Sequence, residues 1–239
     1  MIKHYTKACN FYFGQISKEK IKKKLSIPLN GNNLISFDTV EVISRKSKKR
    51  IKIKDIKKLN NLIKKKILTD IDQISKKKKF KNLNFSKSPI LMGVLNLTPD
   101  SFSDGGKYYK YNLGIAHAKK LIKDGCKILD IGGESSRPGS KEININEEWK
   151  RLSPTLLKLK KIKQVISLDT RKSSVMAKGI KNNVNLINDI SGLEHDTKTV
   201  ALLKKTKIPF VIHHIQGNPT SMQKNPKYKN VVLDIYDFF

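Results

Sequence analysis

From Ile90 onward, short apolar segments alternate with longer stretches in which apolar residues recur every three or four positions. The short segments have the length of buried strands, and the longer ones have the period of amphipathic helices. Strands are predicted at 90–95, 127–131, 165–168, 184–187 and 208–212, and helices at 112–124, 147–162, 172–182 and 196–206. In the first helix we expect a buried face formed by Leu113, Ala116, Leu121 and Ile122. This order of elements indicates an α/β fold of parallel βα units.

Polar residues follow each of the five predicted strands. They are Asn96, then Glu134 to Arg137, then Asp169 to Arg171, then Asn188 and Asp189, and finally His213, His214 and Gln216. An open doubly wound sheet gathers its ligand contacts at a switch point, whereas a TIM barrel draws them from the ends of all its strands. Five polar strand ends in succession therefore favour a TIM (β/α)8 barrel, of which this chain carries about the first five βα units.

The segment before Pro89 follows a different pattern. Residues 34–43 alternate apolar and polar side chains in part, which predicts a strand, and residues 51–74 form a Lys-rich helical pattern. We therefore divide the chain into a small α+β extension of unknown role, residues 1–88, and an incomplete barrel, residues 89–239.

The formal net charge of +30 would by itself suggest a nucleic-acid or membrane partner. Only five of the 50 basic residues are arginines, although arginine forks suit phosphate binding better than lysines do. The composition is also typical of an AT-rich genome, and the aromatic residues are too scattered for a base-stacking surface. We expect no nucleic-acid partner and keep a basic nucleic-acid-binding protein as an alternative. The run Lys76 to Lys79 is interpreted as a solvated linker.

Two cysteines, Cys9 and Cys126, lack the spacing of a metal or redox motif, which is typical of a reducing cytoplasm. No segment approaches the roughly 20 apolar residues of a membrane span. We expect a cytoplasmic protein without a membrane partner.

Two polar segments contain the candidate chemistry. The first, LNLTPDSFSDGG at residues 95–106, has carboxylates and hydroxyls for a hydrated cation or an anion, and glycines that allow closure over a ligand. The second, DIGGESSRPG at residues 130–139, has an arginine suited to phosphate or carboxylate oxygens. Together they resemble the two signature loops of the dihydropteroate synthase family, and the resemblance extends from about Pro89 to Phe239.

The resemblance implies a transferase of folate biosynthesis. Such an enzyme condenses 6-hydroxymethyl-7,8-dihydropterin pyrophosphate with p-aminobenzoate, releases pyrophosphate, uses Mg²⁺, is a target of sulfonamides and forms a homodimer at full length. The reaction requires groups that stabilise the charge growing on the pyrophosphate, and a site that positions an already nucleophilic arylamine. A pterin-binding methyltransferase of the same superfamily is an alternative, although methyl transfer has no evident use for this pair of loops.

For the catalytic residues, the resemblance implies that Asn96 helps to hold the Mg²⁺ ion and that Ser136 and Arg137 contact the leaving group or the substrate carboxylate. Ser136 stands where the family usually has threonine. The other residues of the two flexible loops are Thr98, Pro99, Asp100, Ser101, Phe102, Ser103, Asp104, Gly105, Gly106, Ser135, Pro138 and Gly139.

For the pterin, the resemblance implies contacts from Asp169, Asn188 and His213, the last in place of a family methionine. Other interpretations of the same residues stay open. Asp169 could be the N-cap of a helix, Asn188 could cap the next turn, and Asp189 could only orient its loop. His213 and His214 do not suit a shared metal site, because neighbours on a strand point to opposite faces.

The pattern contains fewer strands than a closed barrel. A TIM barrel has eight strands in about 250 residues, whereas about 150 residues follow Pro89, with a further helix predicted from Val231. The family's DPG, SRK and Arg-x-His segments are absent from these residues. We therefore expect these 239 residues alone to be inactive and not to form a compact monomer.

Overall fold

The structure, a computed structural model, describes residues 3–77, 80, 83, 89–98 and 111–239. These residues form two compact units, Met1–Ser88 and Pro89–Phe239. Both cysteines, Cys9 and Cys126, are free thiols. Within the described part of the chain, no helix is both long and apolar enough to cross a membrane.

The first unit is a small antiparallel sheet with helices. Strand β3 lies at its centre, with β1 on one edge and both β2 and β4 paired along the other. The elements are β1 (Tyr5–Phe13), α1 (Gly14–Lys22), β2 (Ile27–Leu29), β3 (Asn32–Ile43), β4 (Lys48–Lys52), a 3₁₀ helix (Ile53–Lys58) and α2 (Asn61–Ser75). Its core is formed by Phe37, Val40, Val42, Ile51, Ile56, Ile67 and Ile71.

The predicted helix over residues 51–74 is only partly present. Ile51 and Lys52 end strand β4, and a 3₁₀ helix follows before the α-helix begins at Asn61. The break has a local cause, because the Asn60 side chain accepts a hydrogen bond from the amide of Leu62 and caps a new helix.

The second unit is a parallel sheet flanked by helices, with the strand order β5-β6-β7-β8-β9. Strands β5 and β9 form its two edges. The strands are β5 (Met92–Asn96), β6 (Ile128–Gly132), β7 (Val165–Asp169), β8 (Leu186–Asp189) and β9 (Phe210–Ile212). The helices are α3 (Tyr111–Lys123), α4 (Ile145–Leu159), α5 (Ser173–Lys181), α6 (Thr199–Thr206) and α7 (Val231–Phe238). All five predicted strands and the helices between them are confirmed, with ends shifted by a few residues.

The two faces of this sheet differ in chemistry. Leu95, Ile131, Leu168 and Ile187 are fully buried, in one apolar cluster with helix residues such as Leu156. Because side chains alternate along a strand, the residues between them point to the other face, which is the interior of the barrel arc. This interior face carries the polar strand ends.

The buried face predicted for α3 is partly wrong. Leu113 and Ala116 are exposed, whereas Gly114 and Ala118 are buried and Leu121 packs against the core. A Cβ added to Gly114 would lie 2.8 Å from Leu97 Cδ2, so small residues form the start of the contact face, whereas the predicted Leu121 and Ile122 do pack against the core near its end.

Candidate functional site

Four residues at the ends of adjacent strands form one row across the sheet. Asn96 pairs with Gly132, Gly132 with Asp169, and Asp169 with Asn188, so all four are in register on the interior face. A Cβ added to Gly132 would lie 3.4 Å from both Asn96 Oδ1 and Asp169 Oδ2. The glycine therefore leaves an open position between a predicted metal ligand and a predicted pterin ligand.

Asn188 is held by two neighbours. Its Nδ2 donates to Asp130 Oδ2 at 3.0 Å, and its Oδ1 lies 2.7 Å from His213 Nε2. The structure thus places His213 beside Asn188, one of the two other residues that the sequence predicts as pterin ligands. Asn188 does not cap the following turn, because Asp189 Oδ1 does so by accepting hydrogen bonds from the amide and hydroxyl of Ser191.

Asp130 is a residue of this site that the sequence reasoning missed. It lies on β6 one layer below the row, 5% exposed, and its Oδ1 has no hydrogen-bond partner among the described residues. The hydroxyl of Ser167, its neighbour in register on β7, is equally unpartnered there. The available signal was a charged residue inside the apolar strand Ile128–Gly132. Burying a carboxylate costs free energy unless another group pairs with it or donates a hydrogen bond to it.

Asp169 lies among several other carboxylates. Burial, followed by the negative charges of Asp130, Glu148 and Asp189, raises its pKa to about 7. Its side chain forms no hydrogen bond with the residues that the structure describes, and the carboxylate lines a small cavity. A carboxyl group titrating near neutrality in a cavity is typical of a ligand-binding position.

The helix-cap interpretation of Asp169 is wrong. Helix α5 begins at Ser173, four residues later, and its first amide donates to Asp196 Oδ2 at 2.9 Å. Asp196 therefore caps the helix, and Asp169 lines the cavity instead.

A buried network of ion pairs lies beneath the second signature loop. Lys172 Nζ contacts Glu134 Oε1 at 2.9 Å and Glu148 Oε2 at 2.7 Å, and Arg171 Nε contacts Glu134 Oε2 at 3.1 Å. Burial alone would raise the pKa of Glu134, but hydrogen bonds from Arg171 and Lys172 outweigh it and lower that pKa. The network ties the start of the loop to the residues that follow Asp169.

The second loop reaches the cavity beside Asp169. Ser135 and Ser136 line this cavity together with Glu134, Asp169, Thr170, Arg171, Ile190 and Pro219. The amide of Gly139 donates to the carbonyl of Pro219 at 2.9 Å, which links the loop to the segment after β9. Arg137 is exposed and forms no ion pair with the described residues, so its guanidinium is available to a ligand.

The first loop is only partly within the described residues. Thr98 is 4% exposed, next to the end of β5. The predictions for Pro99, Asp100, Ser101, Phe102, Ser103, Asp104, Gly105 and Gly106 lie outside the described residues.

The two adjacent histidines point to different neighbours. His213 contacts Asn188, whereas His214 Nε2 lies 3.1 Å from the Tyr228 hydroxyl and its ring packs on Phe238 of α7. His214 therefore stabilises the packing of the last helix and takes no part in the row.

The glycine pair of the second motif gives two substitutions with different expected effects, one on stability and one on ligand binding. In Gly133→Ala the new Cβ would lie 2.9 Å from Leu152 Cγ and 3.0 Å from the Glu148 carbonyl oxygen. We expect a stability loss of about 1–3 kcal/mol from this overpacking, measured by chemical denaturation. Gly132→Ala meets only ordinary contacts, so we expect near-normal stability with weaker ligand binding. Equal stability of the two variants would contradict this packing.

Comparisons with known proteins agree with this geometry. Residues 92–239 match the family described as pterin binding enzyme. The chain is 42% identical over 149 residues to a dihydropteroate synthase of Neisseria meningitidis serogroup C, covering 62% of this chain and 53% of that protein. It thus spans about half the length of the curated relatives it matches.

Two solved structures share the fold of the second unit. The Yersinia pestis dihydropteroate synthase in complex with a sulfonamide drug superposes with a TM-score of 0.61 at 36% identity, covering 68% of this chain and 59% of that one. The Clostridium difficile enzyme, solved in the presence of pteroic acid, gives a TM-score of 0.59 at 36% identity, covering 66% and 58%. The partial barrel, its polar row and these matches together show that the chain belongs to the family of pterin-binding enzymes.

Proposed function

We propose that this protein is a dihydropteroate synthase, which joins 6-hydroxymethyl-7,8-dihydropterin pyrophosphate to p-aminobenzoate and releases pyrophosphate. The proposal rests on the row formed by Asn96, Gly132, Asp169 and Asn188. Ser135 and Ser136 of the second loop line the cavity beside this row. The names of the matched relatives support the same reaction. The bound sulfonamide of the Yersinia pestis structure supports sulfonamides as competitors here.

In this mechanism the strand ends hold the pterin. The carboxylate of Asp169 accepts hydrogen bonds from the 2-amino group and the adjacent ring N–H, and the carboxamide of Asn188 supplies one donor and one acceptor. Because Asp169 and Asn188 are in register at the ends of β7 and β8, the two side chains can hold one ring edge together. Catalysis then depends on orientation more than on a strong base, because an arylamine is already nucleophilic.

The second loop stabilises the leaving group. As pyrophosphate departs, negative charge grows on its oxygens, and the Ser136 hydroxyl and Arg137 guanidinium can donate to them. The exposed side chain of Arg137 is free to fold onto a bound phosphate. Replacing a threonine by serine at position 136 keeps the donor.

We propose that Asn96 helps to hold a magnesium ion. Asn96 Oδ1 points toward the open position above Gly132 and accepts no hydrogen bond from the described residues. Mg²⁺ commonly takes one or two protein oxygens and completes its shell with water and substrate phosphates. When bound there, the ion would neutralise charge on the leaving pyrophosphate.

We also propose a homodimer in the cytoplasm. The free thiols Cys9 and Cys126 support a reducing compartment. Light scattering on the purified protein tests the dimer, and a monomeric mass at micromolar concentration would contradict it.

The reaction is tested with protein expressed from its natural gene, pterin pyrophosphate, labelled p-aminobenzoate and Mg²⁺. We expect labelled dihydropteroate, competition by a sulfonamide, and loss of product when the metal is chelated. Folded protein that binds no pterin and yields no product would contradict the proposal.

The pKa of Asp169 predicts a pH dependence of pterin affinity. The carboxylate form is the acceptor, and a raised pKa means that part of the free protein is protonated near pH 7. We expect affinity to rise as the pH increases from about 5.5 to 7.5 and binding to release a proton in that range. Calorimetry in buffers of different ionisation enthalpy measures the release, which Asp169→Asn should abolish. A pH-independent affinity would show that Asp169 is ionised throughout.

A further inference from the structure

The carboxamide of Asn188 has a determined orientation. Its two ends lie 3.0 Å from Asp130 Oδ2 and 2.7 Å from His213 Nε2. A carboxylate only accepts hydrogen bonds, so the NH₂ group of Asn188 must face Asp130 and its oxygen must face His213. The contact with that oxygen then requires His213 Nε2 to carry a proton and to donate.

We propose that His213 is a positioning residue that contributes to ligand specificity: together with Asp130 it holds the Asn188 carboxamide in one of its two orientations. An amide rotated by 180° has nearly the same shape but exchanges donor and acceptor. Such a rotation would place oxygen against oxygen at Asp130, and it would require His213 to move its ring proton from Nε2 to Nδ1. Asp130 therefore excludes the rotated state, and His213 Nε2 adds a hydrogen bond to the state that Asp130 selects.

His213 is itself fixed relative to strand β8. Its backbone amide donates to the carbonyl of Asp189 at 3.2 Å, while its ring reaches Asn188, the preceding residue of that strand. The imidazole is thus tied to β8 by backbone and side chain. On the other side, Asp130 is buried in the middle of the sheet. The Asp130 side of the amide is buried and the His213 side is exposed, so Asp130 fixes the orientation and His213 reinforces it.

The locked amide determines which ligand edge is accepted. Asn188 retains one N–H and one oxygen lone pair for a ligand, in an order that can no longer be exchanged. This inference rests on the proposed function, in which a 2-amino-4-oxo ring edge lies against Asp169 and Asn188. A 2,4-dioxo ring of the same shape replaces the amino donor by an acceptor and should be rejected, because a site built for a donor is left with unpaired polar groups.

Calorimetry with two probes, pterin and lumazine (its 2,4-dioxo analogue), tests the inference in protein expressed from its natural gene. His213→Phe keeps an aromatic ring but removes the Nε2 donor, and His213→Gln restores a donor at similar reach. His117→Phe, on the exposed surface of α3, is the matched control. We expect His213→Phe to lower the ratio of pterin to lumazine affinity by about threefold to tenfold, the value of one hydrogen bond. His213→Gln should stay within about twofold of the wild type, as should the control.

The outcomes separate the two claims. If His213→Phe weakens both probes equally, or leaves the ratio as it is in His117→Phe, the orienting role is wrong while the proposed function stands. If the wild type binds neither probe, the proposed function and this inference both fail.

Discussion

Replacing Asp169 by asparagine is expected to weaken pterin binding by about 10-fold to 150-fold, the equivalent of about 1.5–3 kcal/mol for hydrogen bonds to a charged group. The substitution keeps the shape of the side chain and removes the charge that accepts from the amino group and ring N–H. Asparagine also places an NH₂ group where the ligand donates. Calorimetric titration with pterin at pH 7.5 measures the change.

Asp124→Asn is the matched control for this measurement. Asp124 is an exposed carboxylate just beyond the end of α3, near the amino-terminal edge of the sheet and away from the polar row. We expect its pterin affinity to remain within about twofold of the wild type. Equal losses in the two variants would show that overall charge, and not the position of Asp169, controls binding.

The second large effect is expected on stability. Lys172→Met leaves Glu148, which is fully buried, and Glu134 without their shared cation. Removing one partner of a buried ion pair costs about 3–5 kcal/mol, because the other charge stays buried and uncompensated. At about 2–4 °C per kcal/mol, the thermal midpoint should fall by about 6–20 °C. Differential scanning calorimetry measures the shift.

Two further variants identify the cause of the stability loss in Lys172→Met. Lys158→Met removes an exposed lysine of helix α4 and should change the midpoint by less than about 2 °C. The double variant Lys172→Met with Glu148→Gln removes the stranded charge, so we expect it to regain part of the lost stability. A double variant less stable than Lys172→Met alone would show that packing of the lysine stem, and not charge, dominates.

The fold of the second unit was largely predictable. Apolar segments at strand length and amphipathic stretches at helical period are local signals, and parallel βα units follow from their order. The ends of the helices were harder to predict than their positions, because capping can depend on distant groups. Asp196, for example, caps α5 from 23 residues further along the chain. The contact face of α3 was predicted only in part: Leu121 and Ile122 pack against the core, but the start of the face is formed by small residues such as Gly114, which lies against Leu97.

The first unit was harder to predict. Strand β1 does not alternate cleanly between buried and exposed residues, and Asn10 within it has a positive φ of 54°. Its strand character comes from pairing with β3 on both sides of Asn10, which is a non-local contact. The short strands β2 and β4 depend on the same central strand. Local patterns therefore revealed only β3 and part of α2.

The sequence by itself determined the two signature motifs and the parallel strands of the barrel. It also determined the edge of the sheet at which Asn96, Asp169 and Asn188 lie, because the carboxyl ends of parallel strands are on the same side. Only the tertiary structure decided which polar groups meet. Asp130 reaches Asn188 across 58 residues of chain, and Lys172 reaches Glu148 across 24. Such pairs depend on strand register and on how the first turn of α4 packs over the strand ends, and neither leaves a local pattern in the sequence.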